Sequence, residues 1–190
     1  MPTSSTQRVI CQKHLESAQG YLELALLFED QWPLPPELKQ TLADHAISSL
    51  ECASQRHGTQ SHWQFLRGLA HQLHGQLPQA ISLLNQACNE SPAQPEIYLH
   101  LSWCHRQQEQ WQQAIAILEN GLQQVPDHPF LLYNLGCYYC LTQQMGPCFD
   151  CLQQAVKREP TLRSRIPVDP DLVALKADPR FQELLHLSLN

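Results

Sequence analysis

The feature that most constrains this chain is a set of small residues that occurs three times at a constant interval of 34 residues, as from Gly68 to Ser102. The successive sets are Gly68, Ala80, Ala87 and Pro92, then Ser102, Ala114, Gly121 and Pro126, and then Gly136, Cys148, Ala155 and Pro160. They align without an insertion or a deletion. A period of this length is typical of arrays in which each unit is one supersecondary element that buries its apolar face only against its neighbours.

Apolar residues between the small ones repeat at the same interval. They are Leu83 and Leu84, Ile117 and Leu118, and Cys151 and Leu152. Each pair lies three or four residues from the flanking small residues, which is the spacing of the buried stripe of an amphipathic helix. Because a proline follows each stripe and cannot continue a helix, every unit is predicted to be a helix, a short turn and a second helix.

This pattern resembles the tetratricopeptide repeat family, whose unit is a 34-residue helix-turn-helix with small residues at the helix crossing and a closing proline. The resemblance covers residues 61–162, and the predicted units are 61–94, 95–128 and 129–162. It implies an all-α fold, an α-solenoid of stacked repeats with a right-handed superhelix. Cys148 departs from the family pattern, since alanine is usual at its position.

The two ends are predicted to close the array within one continuous domain. Residues 1–60 are predicted to be a degenerate helical hairpin with a proline-rich loop, "QWPLPPE", because Ala46, Leu50 and Ala53 lie one repeat length before the first buried stripe. Residues 163–190 are predicted to be capping helices, in which Asp169 and Asp178, each followed by proline, mark helix starts. This last segment resembles the short terminal cap that follows repeat groups of the family in many bacterial proteins.

The most conspicuous chemical motif is a double Cys-x-x-Cys arrangement formed by Cys137, Cys140, Cys148 and Cys151. Four thiolates could hold zinc, copper(I) or an iron–sulfur cluster, or could cycle between thiol and disulfide. The sister units argue against this, because alanine stands at the position of Cys148 and leucine or isoleucine at that of Cys151. Helical geometry also directs Cys137 about a right angle away from the second helix, so that the one contact it allows is between Cys140 and Cys148, given the close approach that Gly136 permits. We therefore predict packing cysteines, with metal binding or redox chemistry as the alternative.

Composition excludes several classes of function. The net charge of −6, from 12 basic and 18 acidic residues, provides no positive field for nucleic acid or for anionic lipid. The chain contains neither a run of about 18 apolar residues nor a leader-like start, so a cytoplasmic protein is expected. No phosphate-binding loop, nucleophile elbow or zinc-protease pattern occurs. We accordingly predict no enzymatic activity, no catalytic residues and no cofactor.

If the units stack as they do in the family, their first helices line a concave groove. Shifting by one repeat at a time gives the positions that face it, namely Phe65, Leu69 and Gln72, then Leu99, Trp103 and Arg106, then Tyr133, Cys137 and Cys140. Asn134, next to Tyr133, is also assigned to the groove. The set is largely aromatic and apolar. The sequence therefore predicts a protein-interaction scaffold or adaptor that binds an apolar peptide or helix of a partner protein, with Trp103 and Tyr133 as anchors.

Two alternatives to an open peptide-binding groove remain at this stage. The N-terminal helix or the C-terminal cap could fold into the groove and cover it. The chain could instead be a self-associating module, such as a homodimer. Binding of acidic chaperone tails, which relatives achieve with lysines, is disfavoured because no lysine precedes Lys157 in the three units.

Overall fold

The computed structural model describes residues 4–27, 34–53 and 60–185, which divide into two compact units, residues 1–91 and 92–190. The first unit contains α1 (Ser4–Leu27), α2 (Pro36–Cys52), α3 (Gln60–Leu73) and α4 (Leu77–Glu90). The second contains α5 (Pro95–Gln107), α6 (Trp111–Gln124), α7 (Pro129–Leu141), α8 (Met145–Arg158), two 3₁₀ helices (Pro160–Ser164 and Pro170–Ala177) and α9 (Arg180–Leu185). Within the described residues every regular element is helical, and consecutive helices pack as hairpins. The prediction of an all-α helical-repeat fold is confirmed.

The first unit is built around a core that α1, α2 and α3 share. Leu15, Ala18 and Leu22 of α1 meet Ala46 and Leu50 of α2, and the α3 residues in the same core are Leu66, Leu69 and Ala70. Of the predicted proline-rich loop between α1 and α2, residues 31–33 lie outside the described residues, and Pro36 already begins α2. None of the described helices has both the length and the apolar character that crossing a bilayer requires.

The second helix of each repeat buries most of the stripe predicted from the sequence, although Leu83 and Ile117 are only partly buried. The buried residues that recur at equivalent positions are Ala80, Leu84 and Ala87 in α4, Ala114, Leu118 and Gly121 in α6, and Cys148, Leu152 and Ala155 in α8. Each set follows the i, i+4, i+7 spacing that places three side chains on one face of a helix. The sequence period is therefore a period of core packing.

Small residues at the helix crossings allow the paired helices to approach closely. A Cβ atom added at Gly68 would lie 2.8 Å from the Leu84 side chain, and one added at Gly136 would lie 2.8 Å from that of Leu152. These distances are shorter than carbon atoms tolerate, so each hairpin depends on the missing side chain. The prediction that small residues mark the crossing is confirmed at both positions.

The turn inside each repeat contains one residue in the left-handed region. Gly75 has φ 82°, Glu109 has φ 58° and Gln143 has φ 62°, and these three positions are equivalent in successive repeats. The backbone N–H of each donates to a carbonyl three residues earlier, at 2.8–3.0 Å. The repeat thus fixes a strained backbone conformation that only Gly75 adopts without a steric cost.

The C-terminal cap, residues 160–185, begins on α8 and returns to it. The first 3₁₀ helix and α9 both pack on α8, whereas the second 3₁₀ helix packs on α7. Asp169 accepts from the backbone N–H of Asp171 at 2.9 Å, and Asp178 accepts from that of Arg180 at 2.9 Å. Both predicted Asp-Pro helix starts are confirmed, although the first opens a 3₁₀ helix.

Candidate partner-binding surface

On α5, all three predicted groove positions, Leu99, Trp103 and Arg106, are partly exposed. Arg106 lies one turn beyond Trp103 on the same face, and its guanidinium donates to Asp171 Oδ1 at 2.6 Å. The beginning of this face is therefore open to solvent, and its end is engaged by the cap.

On α7, the equivalent positions lie beneath the cap. Tyr133 is 5% exposed and its hydroxyl donates to Asp169 Oδ2 at 2.7 Å. Cys137 is 3% exposed, and its thiol lies 3.9 Å from the same carboxylate oxygen. Asn134 remains partly exposed, and its amide donates to the carbonyl of Phe130 at 2.8 Å. Of the two predicted aromatic anchors, the cap thus covers Tyr133.

On α3, the predicted positions belong to the first unit and have their own cover. Leu69 is part of the core shared with α1 and α2, and Phe65 is a partly buried residue packed against that core. Gln72 is 7% exposed. The N-terminal helices therefore cover Leu69, whereas Phe65, like Leu99 and Trp103, remains partly exposed.

Two polar contacts attach the cap, one between Asp169 and Tyr133 of α7 and one between Asp171 and Arg106 of α5. Burial first, and then the hydrogen bond to Asp169, raise the pKa of Tyr133 well above its usual value, so its hydroxyl remains a donor. Burial raises the pKa of Asp171, and the Arg106 guanidinium opposes that rise. The Arg106 and Asp171 side chains are 29% and 14% exposed, so this ion pair lies at the solvent boundary and is not fully buried.

The four clustered cysteines are arranged as side chains of a packed core. Cys140 and Cys148 are hydrogen-bond partners across the α7–α8 hairpin, as predicted. All four are buried, and burial raises the pKa of each thiol, that of Cys151 to about 11. Since the thiolate is the form that binds metal and attacks disulfides, this environment suppresses both reactions. None of the eight cysteines, all within the described residues, forms a disulfide.

Another group of potential metal ligands is created by the cap. In the described part of the chain, Cys137, Asp169 and Asp171 place one ligand atom each within 4.8 Å of one another. Arg106 already supplies a positive charge to Asp171, and Tyr133 donates to Asp169. The carboxylates are thus engaged by protein donors, and the group is accounted for as the attachment of the cap.

Sequence reasoning did not assign Asp169 and Asp171 to this face. It placed Asp169 at a helix start, which is correct, but the second role of its carboxylate depends on a contact 36 residues back along the chain. A usable signal was present at Arg106, where the sister positions are Gln72 and Cys140. If the cap covers this face, as the alternative reading of the sequence allowed, a cation on it requires an acidic partner.

The comparisons with known proteins agree with this architecture. Residues 73–135 match the family model for the tetratricopeptide repeat. One similar solved structure is a crystal structure of MamA, with 15% identity, a TM-score of 0.61, and coverage of 81% of this chain and 90% of that one. Another, MamA from residue 41 to the end from Desulfovibrio magneticus RS-1, has 17% identity and a TM-score of 0.55, covering 89% of this chain and 95% of that one.

A third similar structure is the C-terminal part of a TPR repeat-containing protein from Cytophaga hutchinsonii. It has 14% identity and a TM-score of 0.62, and the alignment covers 94% of this chain and 76% of that one. At such identities the similarity concerns the fold alone. No curated protein sequence matches the chain. Residues 73–135 are thus similar to the tetratricopeptide repeat, as the sequence predicts, and the fold is similar to that of a TPR repeat-containing protein over most of the chain.

Proposed function

We propose that this protein is a non-catalytic interaction scaffold that binds an apolar peptide or helix of a partner protein on the inner face of α5. The observation that carries the proposal is the partial exposure of Leu99 and Trp103 on α5, while Tyr133 and Cys137 on α7 are covered by the cap. Tetratricopeptide repeats and their structural neighbours are in general interaction scaffolds, which supports the same reading.

The chemistry of the surface favours an apolar segment with an aromatic anchor. Trp103 offers a large rigid side chain of the type that dominates interface energetics. Arg106 and Tyr133 are already bound to carboxylates of the cap, so they are not available to bind the carboxylates of a partner. The net charge of −6 likewise disfavours nucleic acid as the partner.

The setting we propose is the cytoplasm, where reduced thiols are maintained. The packing of four cysteines as protonated thiols inside the α7–α8 hairpin supports this part of the proposal. A homodimer is the other binding mode that the sequence left open. Light scattering at increasing protein concentration tests it, since self-association through the Trp103 surface would be lost in Trp103→Ala.

The proposal is tested by selecting peptides from a displayed library on the intact protein and measuring their affinity for variants. Trp103→Ala should weaken selected peptides by about 30-fold or more, the loss typical of a hot-spot residue. Leu141→Ala, at an apolar residue 39% exposed at the end of α7, is the control and should change affinity by less than about twofold. Circular dichroism should show equal helicity in both variants.

Two results would contradict the proposal. If Trp103→Ala lowered helicity or the melting temperature strongly, Trp103 would be a core residue. If peptides bound wild type and Trp103→Ala equally well, the inner face of α5 would not be the binding surface.

A further inference from the structure

We propose that residues 165–178, here called the strap, form a lid that lifts off α7 while both of its ends remain on α8 and the repeats stay folded. The effect of the strap on partner binding rests on the function proposed above, in which the face of α5 that carries Trp103 binds the partner. Release of the strap would add the inner face of α7 to the accessible face of α5, and so would control the size of the binding surface.

The two ends of the strap have their own attachments. The first 3₁₀ helix packs on α8 and buries Leu162 to 2% exposure. At the other end, the guanidinium of Arg180 lies 4.3 Å from the ring centroid of Phe149 on α8, and Asp178 binds Arg180 through both carboxylate oxygens. The segment between these attachments is the part that crosses α7.

The strap is attached to α5 and α7 by polar contacts and by buried apolar side chains. Asp169 accepts from Tyr133 and Asp171 accepts from Arg106, and the guanidinium of Arg165 lies 6.0 Å from the ring centroid of Tyr133. The strap residues that are fully buried are Ile166, Leu172 and Leu175, whereas Val173 is 56% exposed. Because the Arg106–Asp171 pair lies at the solvent boundary, water can replace each partner as the pair separates.

The helix beneath the strap is held in place from its other sides. Gly136 of α7 packs against Leu152 of α8, and Leu131 of α7 reaches Gly121 of α6. These contacts join α7 to α8 and α6 and include no residue of the strap. The hairpin α7–α8 and its packing on α6 therefore persist when the strap lifts, which makes this a local opening of the kind that folded proteins undergo without unfolding globally.

The opening can be observed without any partner, because Cys137 lies beneath the strap and its thiol faces Asp169. We would follow alkylation of the native full-length protein by a maleimide and assign each modified cysteine by peptide mass spectrometry. Cys104 and Cys148, both fully buried within the repeats, serve as internal references. Cys137 should react faster than either, by at least about tenfold.

The decisive variant is Asp171→Asn, which removes the charge from the strap and leaves Arg106 and Tyr133 unchanged. It should accelerate alkylation of Cys137 by about ten- to hundredfold, the loss expected for a hydrogen bond between charged groups. The matched control is Asp127→Asn, which removes the partner of Arg158 elsewhere in the same unit and should leave all three rates unchanged. Tyr133→Phe removes the second link and should act in the same direction, which keeps the test valid if Asp171→Asn fails to fold.

The proposal is overturned if Cys137, Cys104 and Cys148 react at one common rate, since the strap would then open only when the whole unit unfolds. It is also overturned if Asp171→Asn and Tyr133→Phe leave the Cys137 rate unchanged. The proposed function fails under a different result, in which selected peptides bind Trp103→Ala as tightly as wild type. Peptides that bind more tightly to Asp171→Asn than to wild type would support both.

Discussion

Replacing Glu109 by glycine should stabilise the protein, because Glu109 occupies a left-handed position (φ 58°) at the turn between α5 and α6. A non-glycine residue there costs about 1–2 kcal/mol. Glycine removes that cost but brings about 0.5–1 kcal/mol of additional entropy loss on folding. The side chain of Glu109 is exposed, so little packing is lost. The net gain should be about 0.5–1 kcal/mol.

Urea unfolding followed by circular dichroism measures this gain as a higher midpoint with an unchanged slope. The control is the preceding residue, Gln108, whose φ of −93° is ordinary. Gln108→Gly should destabilise by about 0.5–1 kcal/mol, since it adds the entropy cost and relieves no strain. Gln143→Gly repeats the experiment one unit later. Equal destabilisation by Glu109→Gly and Gln108→Gly would refute the reasoning, because glycine would then act only through the unfolded chain.

Three further predictions concern the core and its titration. Gly136→Ala should destabilise by about 1–3 kcal/mol, because the new Cβ lies 2.8 Å from Leu152; an unchanged urea midpoint would show that the hairpin can open at no cost. Cys148→Ala introduces the residue found in the sister repeats and should lower the free energy of unfolding by less than about 2 kcal/mol. The metal content of the untagged protein should not change. Loss of about one equivalent of metal would instead support a metal site formed by the thiols. Burial lowers the pKa of His100 from 6.5 to about 4. As pH drops, this histidine is therefore protonated first in the unfolded chain. The free energy of unfolding should fall by at most about 3 kcal/mol between about pH 6.5 and pH 4. His100→Gln should flatten that part of the pH profile, and an unaltered profile would exclude His100 as its source.

The periodic part of the fold could be predicted because each unit repeats the same packing problem. Leu84, Leu118 and Leu152 are all fully buried, and a pattern that recurs three times in register excludes coincidence. The sister units also served as controls for chemistry. They identified Cys148 as a core position, and the structure places its side chain in the interior with a protonated thiol.

The accessibility of the groove could not be predicted in the same way. It depends on contacts that join Arg106 to Asp171, 65 residues away, and Tyr133 to Asp169, 36 residues away. These contacts occur once and do not repeat, so no internal comparison reveals them. The left-handed turn positions were missed for another reason, since Glu109 and Gln143 are residues that rarely mark such a conformation.

The attachment of the strap also determines where this array can grow. Its two aspartates require an arginine from the penultimate repeat and a tyrosine from the last one. Duplication of residues 129–162 would place Cys140 where Arg106 now stands and would leave Asp171 without its cation, whereas duplication of residues 95–128 would preserve both partners. We therefore expect lengthened descendants of this chain to gain units upstream of α7 and to keep the final repeat single, so that the terminal contacts restrict which repeat is duplicated and leave the number of repeats free.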